Sequence, residues 1–272
     1  DCIVVTNGRT TGVALDNGEE INARVVVSSM DVKRTFLKCM DKSDLPEAFV
    51  TRVENFKARG SSGKLNIALD GMPTFSALPA GSPLMTSDMH FIDSMERMER
   101  AYDDWKEGTW SKDPYVDMVM PTMIDPTMAP PGKHFMSCFV QYCPYQVEGR
   151  EWTSDEKEAF ARTVIDQISN YSPDFRDLIV HYEVRTPAVI EAEIGITEGN
   201  IFHGELTMDQ ILFNRPVPGY AQYRAPVAGL YMCGSSTHPG GGVMAAPGAN
   251  AAREILSDLK RANTVPENFG DD

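Results

Sequence analysis

Over the first 28 residues, β-branched and apolar runs are broken by two Asn-Gly pairs: CIVVT, Asn7-Gly8, GVALD, Asn17-Gly18, then EEINARVVVSS. Such a pair supplies the positive φ that a tight hairpin demands, so the pattern predicts a small antiparallel meander ending in a strand over 24–28. Ser29 or Asp31 is placed to cap a short helix over 32–40, and Pro46 stands where a first helical turn tolerates it, ahead of EAFVTRVENF. Between 64 and 70 the positions alternate, with Leu65, Ile67 and Leu69 on one face of a half-buried strand. The Pro-, Ser- and Gly-rich stretch 71–88 predicts loop. After it, Phe91, Ile92, Met95, Met98, Tyr102 and Trp105 recur at helical spacing. Strands are predicted over 115–120 and 134–143, around a Pro-rich turn at 126–132. The segment WTSDEKEAFARTVIDQISNYS, with Ser154 or Asp155 as cap and Phe160, Val164, Ile165 and Ile168 on one face, is the clearest helix. Residues 180–194 read as extended, with Pro187 marking an edge or bulge. A strand over 229–233, a run of small residues and a helix over about 244–260 follow, and the polar stretch 263–272 reads as a flexible tail.

With 272 residues, 42% of them hydrophobic, the chain can bury one large core or two modest ones. Lys and Arg number 25 against 39 Asp and Glu, a formal charge of −14. That field repels phosphate backbones and anionic headgroups, so nucleic acid is not expected as a partner. No apolar run reaches the roughly 18 residues of a membrane span, which leaves peripheral membrane contact open. Five scattered cysteines suit free thiols, and a cytoplasmic or organelle-interior location is expected. The chain begins at Asp1 directly in a strand-like run, so further polypeptide ahead of it is expected.

The candidate chemistry narrows quickly. Cys138 and Cys143 have a dithiol-like spacing, but residues five apart in a strand point to opposite faces and cannot bond. Ser235 or Ser236 with His238 lacks the G-x-S-x-G elbow of a hydrolase. His90, His134, His181 and His203 show no paired spacing, so no metal is expected. The methionines near residue 95 fit ordinary core filling or the wall of a lipophilic tunnel. What stands out is LYMCGSSTHPGGGVMAAPGANAAREIL, where a strand meets a helix through Gly240, Gly241 and Gly242. Glycines there admit backbone approach that a Cβ blocks, and a helix N-terminus offers free N–H groups and partial positive charge. The run is not a dinucleotide fingerprint, because no second strand and acidic residue follow it. Two readings remain: a cofactor lies against this backbone, or the glycines permit a tight turn with close packing on Ala245, Ala249 and Ala252.

The block CGSSTHPGGGVMAAPGANAA, preceded by EGNIFHGELTMDQILFNRP and YAQYRAPVAGLY, resembles the C-terminal half of FAD-dependent oxidoreductases related to phytoene desaturase. The resemblance extends through ARVVVSSMDVKRTFLKCMDKSDLP and GKLNIALDGMP, so it covers nearly the whole chain. It implies an α+β fold: a substrate-binding domain over 31–225 with a mixed or antiparallel sheet and flanking helices, and remnants of a Rossmann-like FAD domain at 1–30 and 226–262. It implies FAD as cofactor, with much of its binding supplied by a dinucleotide-binding half absent from this chain. Gly234 and Ser235 are then expected near the ribityl-diphosphate, and Gly241, Gly242 and Val243 against the isoalloxazine ring; His238, Pro239, Gly240 and Met244 complete the expected contact set. Related flavoproteins often carry an acid at the position of Ser235, whose hydroxyl makes the weaker bond. The implied activity is dehydrogenation of a lipophilic small molecule by hydride transfer to flavin. His203 and His238 are the polar candidates for a catalytic role. Two other readings keep the fold: a non-catalytic binding module, and an FAD-dependent isomerase without net oxidation.

Overall fold

A computed structural model describes residues 1–79 and 81–264. The Asn-Gly signal is realised in full at the first turn: β1 (Cys2–Thr6) passes through Asn7 and Gly8, at φ 51° and 74°, into antiparallel β2 (Arg9–Ala14). β3 (Glu20–Asn22) completes the meander. β4 (Val26–Ser28) does not end this meander as predicted; it pairs in parallel with residues 230–232 instead. The short helix predicted over 32–40 is a single π-helical turn, Arg34–Lys38. Asp31 stands before it, its Oδ1 accepting from the Arg34 N–H at 2.9 Å. α1 (Glu47–Glu54) follows Pro46 as predicted.

The chain then builds a second compact unit, Arg59–Gly199. Its elements are β5 (Ser62–Leu69), β6 (Met89–Phe91), α2 (Met95–Lys106), β7 (Tyr115–Val119), β8 (His134–Gln141), α3 (Ser154–Ser169), α4 (Phe175–Leu178), β9 (Ile179–Arg185) and α5 (Pro187–Ile194). The five strands form one antiparallel sheet in the order β6-β7-β8-β5-β9, with Leu65 opposite Cys138 and Ile67 opposite Met136. Because strand side chains alternate, Leu65, Ile67, Val116, Met118 and Met136 share one face. They are fully buried in a core with Phe160, Val164 and Ile168 of α3.

Several predicted elements change here for local reasons. Phe91 belongs to β6 and Ile92 to no helix, because Ser94 caps α2 by accepting from the Arg97 N–H. Met95 is exposed and Met98 half-buried, and neither belongs to the core cluster of the described residues. Thr153, rather than Ser154 or Asp155, caps α3, and Glu156 answers it in a reciprocal capping box. Residues 187–194 are helical, not extended: Thr186 accepts from the Val189 N–H, and Pro187 takes the first helical position, where its missing N–H costs nothing. Cys138 and Cys143 are free and fully buried. β8 stops at Gln141, so strand alternation does not set the direction of Cys143. Burial raises both thiols well above their ordinary range, which keeps them protonated.

From Asn200 the chain rejoins the first unit, Asp1–Ala58, adding β10 (Leu230–Met232) and α6 (Ala246–Thr264). The unit boundaries therefore fall at 58/59 and 199/200 rather than near 30 and 226. Segments 31–58 and 200–225 belong to the first unit because Val32, Phe36, Phe49, Val53 and Val217 share a core with Ile3, Leu230 and Met232. α6 starts two residues later than predicted, since Ala245 sits at φ 54°. Of the predicted tail 263–272, residues 263–264 continue α6 and residues 265–272 lie outside the described residues. Among the described residues no helix is long and apolar enough to cross a membrane.

Candidate functional site

Within the first unit, β10 hands the chain to the glycine-rich segment. The Cys233 N–H donates to the Ser28 carbonyl at 2.9 Å, so β4 and β10 end side by side. Gly234 follows, and a Cβ there would stand 2.3 Å from the Ser29 carbonyl oxygen. Ser236 is fully buried; its Oγ accepts from the Val32 N–H at 3.0 Å and donates to the His203 carbonyl at 2.7 Å. The Tyr223 hydroxyl donates to the His238 carbonyl at 2.9 Å and accepts from Asn250 of α6 at 2.8 Å. The loop from 234 to 240 is thus tied to β4, to the 200–210 segment and to α6 before the glycines begin.

The centre of this frame is a residue that the sequence pattern did not single out. Arg215 is completely buried, and its guanidinium spends all five N–H donors on five backbone carbonyls. Nε reaches Ser235 at 2.9 Å; the terminal nitrogens reach Glu205 and Gln210 at 3.2 Å each, Phe202 at 2.6 Å and Gly204 at 3.3 Å. Burial pushes its pKa down to about 10, still high enough to keep it charged at neutral pH. Gln210, also buried, continues the frame by accepting from the Lys57 N–H at 2.6 Å and donating to the Lys57 carbonyl at 2.9 Å. The only sequence signal was an arginine between apolar runs in ILFNRPVPGY, which reads as surface unless its acceptors are known.

The predicted contact residues divide into those turned inward and those left open. Gly240 is buried against Leu206 and Arg215. A Cβ on Gly241 would lie 2.2 Å from a ring carbon of Phe202, so Gly241 is explained by the chain's own packing, as is Gly234. Gly242, at φ 125°, is exposed, with only the Met244 methyl within reach of an added Cβ. Val243 is fully exposed, Met244 more than half so, and Pro239 is exposed. Ser235 is half-buried, and its hydroxyl makes no hydrogen bond among the described residues. The surface free to take a flat ligand is therefore 242–245, at the N-terminal end of α6. Leu206, Met208, Leu212 and Phe213 of the same unit are also exposed.

His203 and His238 are carried by the same Arg215 and Ser236 frame. Each ring has a buried Nδ1 with no hydrogen-bond partner among the described residues. Burial lowers the pKa of His203, with Arg215 adding to the effect and Asp31 opposing it, so the ring is neutral at pH 7. Among the described residues no group of His, Cys, Asp and Glu could hold a metal.

Comparison with known proteins shows what the chain is similar to. No family model matches the chain. It is 40% identical over 265 residues to mouse pyridine nucleotide-disulfide oxidoreductase domain-containing protein 2, covering 94% of this chain and 45% of that protein. It is 25% identical over 268 residues to the phytoene desaturase of Neurospora crassa, covering 96% of this chain and 42% of that one. The chain is similar in sequence to proteins of the phytoene desaturase group. A prolycopene isomerase of an Oncidium hybrid is 27% identical over 277 residues, with 97% of this chain and 42% of the relative covered. The chain thus spans about half the length of the curated relatives it matches. Among solved structures, an oxidoreductase from Methanosarcina mazei has a TM-score of 0.54 at 16% identity, over 94% of this chain and 48% of that one. A redesigned putrescine oxidase has a TM-score of 0.52 at 12% identity, over 96% and 48%. These two share the fold.

Proposed function

We propose that this chain is the substrate-domain part of an FAD-dependent oxidoreductase that dehydrogenates a lipophilic small molecule. The observation that carries the reading is the open step 242–245 at the start of α6, which follows a loop that Arg215 bonds at Ser235 and packs against at Gly240. The residues present fit an isoalloxazine ring. Gly242 offers a face without a side chain, Val243 and Met244 offer apolar cover, and the first turn of α6 offers unpaired N–H groups and partial positive charge. Bound FAD supplies hydride acceptance. The protein's part is to orient and to exclude water. Ser235 has a free hydroxyl for a polar edge, His203, its pKa lowered by burial, contributes a hydrogen-bonding nitrogen rather than charge, and His238 adds a buried Nδ1 with no partner among the described residues. Neither histidine is assigned as a catalytic acid or base. We assign the adenosine end of FAD to polypeptide outside this chain, since the chain spans about half the length of the relatives it matches.

The reading is tested by mixing the protein with the portion of the mouse relative that it does not align with, and isolating the assembly by gel filtration. The wild-type assembly is expected to carry flavin absorption, and Gly242→Leu to assemble but lose it. A variant assembly that keeps its flavin contradicts the placement. The similarity to a prolycopene isomerase supports a second reading, flavin-dependent double-bond isomerisation without net oxidation. Product analysis under anaerobic conditions separates the two, because only dehydrogenation leaves a product two hydrogens poorer than its substrate.

A further inference from the structure

The second unit carries a face that the flavin reading does not use. Leu65, Ile67 and Leu69 of β5 point into the core, so Lys64, Asn66 and Ala68 line the opposite face. The register sets Phe139 beside Lys64, Ser137 beside Asn66 and Phe135 beside Ala68, and all three partners are half-buried. The track ends in a cavity of about 440 Å³ walled by Ala68, Met128, Pro130, Phe135 and Val180. Lys133 and Asp70 form an ion pair at its rim, so the cation at this end is already neutralised.

At the other end the charges leave one cation over. Lys64, exposed on the central part of the sheet, forms no ion pair among the described residues. Its cross-strand neighbours are Phe139 and Arg185. Arg185 bonds Glu183 at 3.1 Å and Glu193 at 2.7 Å, so the acid nearest on β9 is committed elsewhere. Asp117, one strand beyond Phe139, faces His90, which also bonds Tyr115 at 2.5 Å. In a protein of charge −14, this is an unneutralised ammonium at the head of a track whose apolar positions, Phe139, Ala68 and Phe135, are separated by the polar pair Asn66 and Ser137.

We propose that this face binds an amphiphile whose anionic head, a carboxylate or phosphate, pairs with Lys64 and whose apolar chain runs between β5 and β8 into the Phe135 cavity. Four residues of strand separate Lys64 from Ala68, roughly 13 Å, which suits a chain of about ten carbons. The proposal goes beyond the oxidoreductase reading, and it is tested by binding alone, so either reading survives failure of the other.

The experiment is calorimetric titration of the protein with decanoate, decyl phosphate and decyltrimethylammonium. One or both anions are expected to bind, which of them identifying the head, and the cation is expected to bind at least about tenfold more weakly, as the loss of a charge-assisted contact dictates. Lys64→Met is expected to abolish the preference for anions while weak chain binding remains, and Ala68→Trp to remove chain binding while circular dichroism stays native. Equal affinity for the cation, an unchanged anion preference in Lys64→Met, or no binding of any of the three overturns the proposal.

Discussion

Replacing Arg215 with methionine removes the five donors at the centre of the frame and keeps much of the apolar stem. Each carbonyl left without a donor in a buried site costs about 1–3 kcal/mol, but relaxation and water entry return part of that. With five carbonyls affected and much of the penalty returned, we take about 4 kcal/mol as the expected loss. The side chain also lies over the Phe56 ring, 5.8 Å from its centroid, and methionine preserves some of that contact. Against a domain stability of about 5–15 kcal/mol this is a large fraction. With a urea dependence of about 2 kcal/mol per molar, the midpoint of the first unit falls by roughly 2 M. The assay is urea unfolding with hydrogen exchange read on peptides spanning 202–215 and 234–241. Arg215→Lys, with three donors on a different geometry, recovers less than half of the loss. A midpoint within about 0.5 M of wild type for Arg215→Met refutes the claim that this side chain holds the site together.

Other outcomes follow from the same geometry. Gly241→Ala destabilises the first unit by about 1–3 kcal/mol through collision with Phe202, and Phe202→Ala in the same chain restores part of it; simple additivity in a double-mutant cycle contradicts the packing account. His203 has a folded pKa depressed below about 6.5, so the unfolded chain takes up its proton first. Its contribution is fully present above that pH and is lost as pH falls through the folded value. Wild type should therefore lose more stability than His203→Asn between about pH 7 and 5 in denaturant titrations, and equal slopes contradict it. A thiol reagent at mildly alkaline pH labels exposed Cys2 in the native protein but Cys138 and Cys143 only after unfolding; native labelling of either buried thiol contradicts their placement.

Much of the chain was legible from local rules. The Asn7-Gly8 turn, the alternation of 65, 67 and 69, and the apolar stripe of α3 each depend on neighbours in sequence, and each appears in the structure. The losses occurred where two local signals competed. Pro187 reads as an edge-strand mark or a first helical residue, and Thr186 decides for the helix. Phe91 and Ile92 extend the helical spacing of α2 on paper, but Ser94 interrupts it. The partner of β4 is some 200 residues away, beyond the reach of periodicity. The glycine run stood out in the sequence, yet its division into inward Gly240 and Gly241 and outward Gly242 did not, because Phe202, Leu206 and Arg215 come from a distant segment. Arg215 itself was hidden for the same reason: a charge becomes buried only when acceptors from three separate stretches converge on it.

The most direct test of the central claim is hydrogen exchange on the assembly of this protein with the unaligned portion of its mouse relative, with and without FAD. Slowed exchange at the amides of 240–248, with little change on the sheet of the second unit, is the predicted result. Flavin bound at full occupancy with these amides unchanged would mean that the ring lies elsewhere.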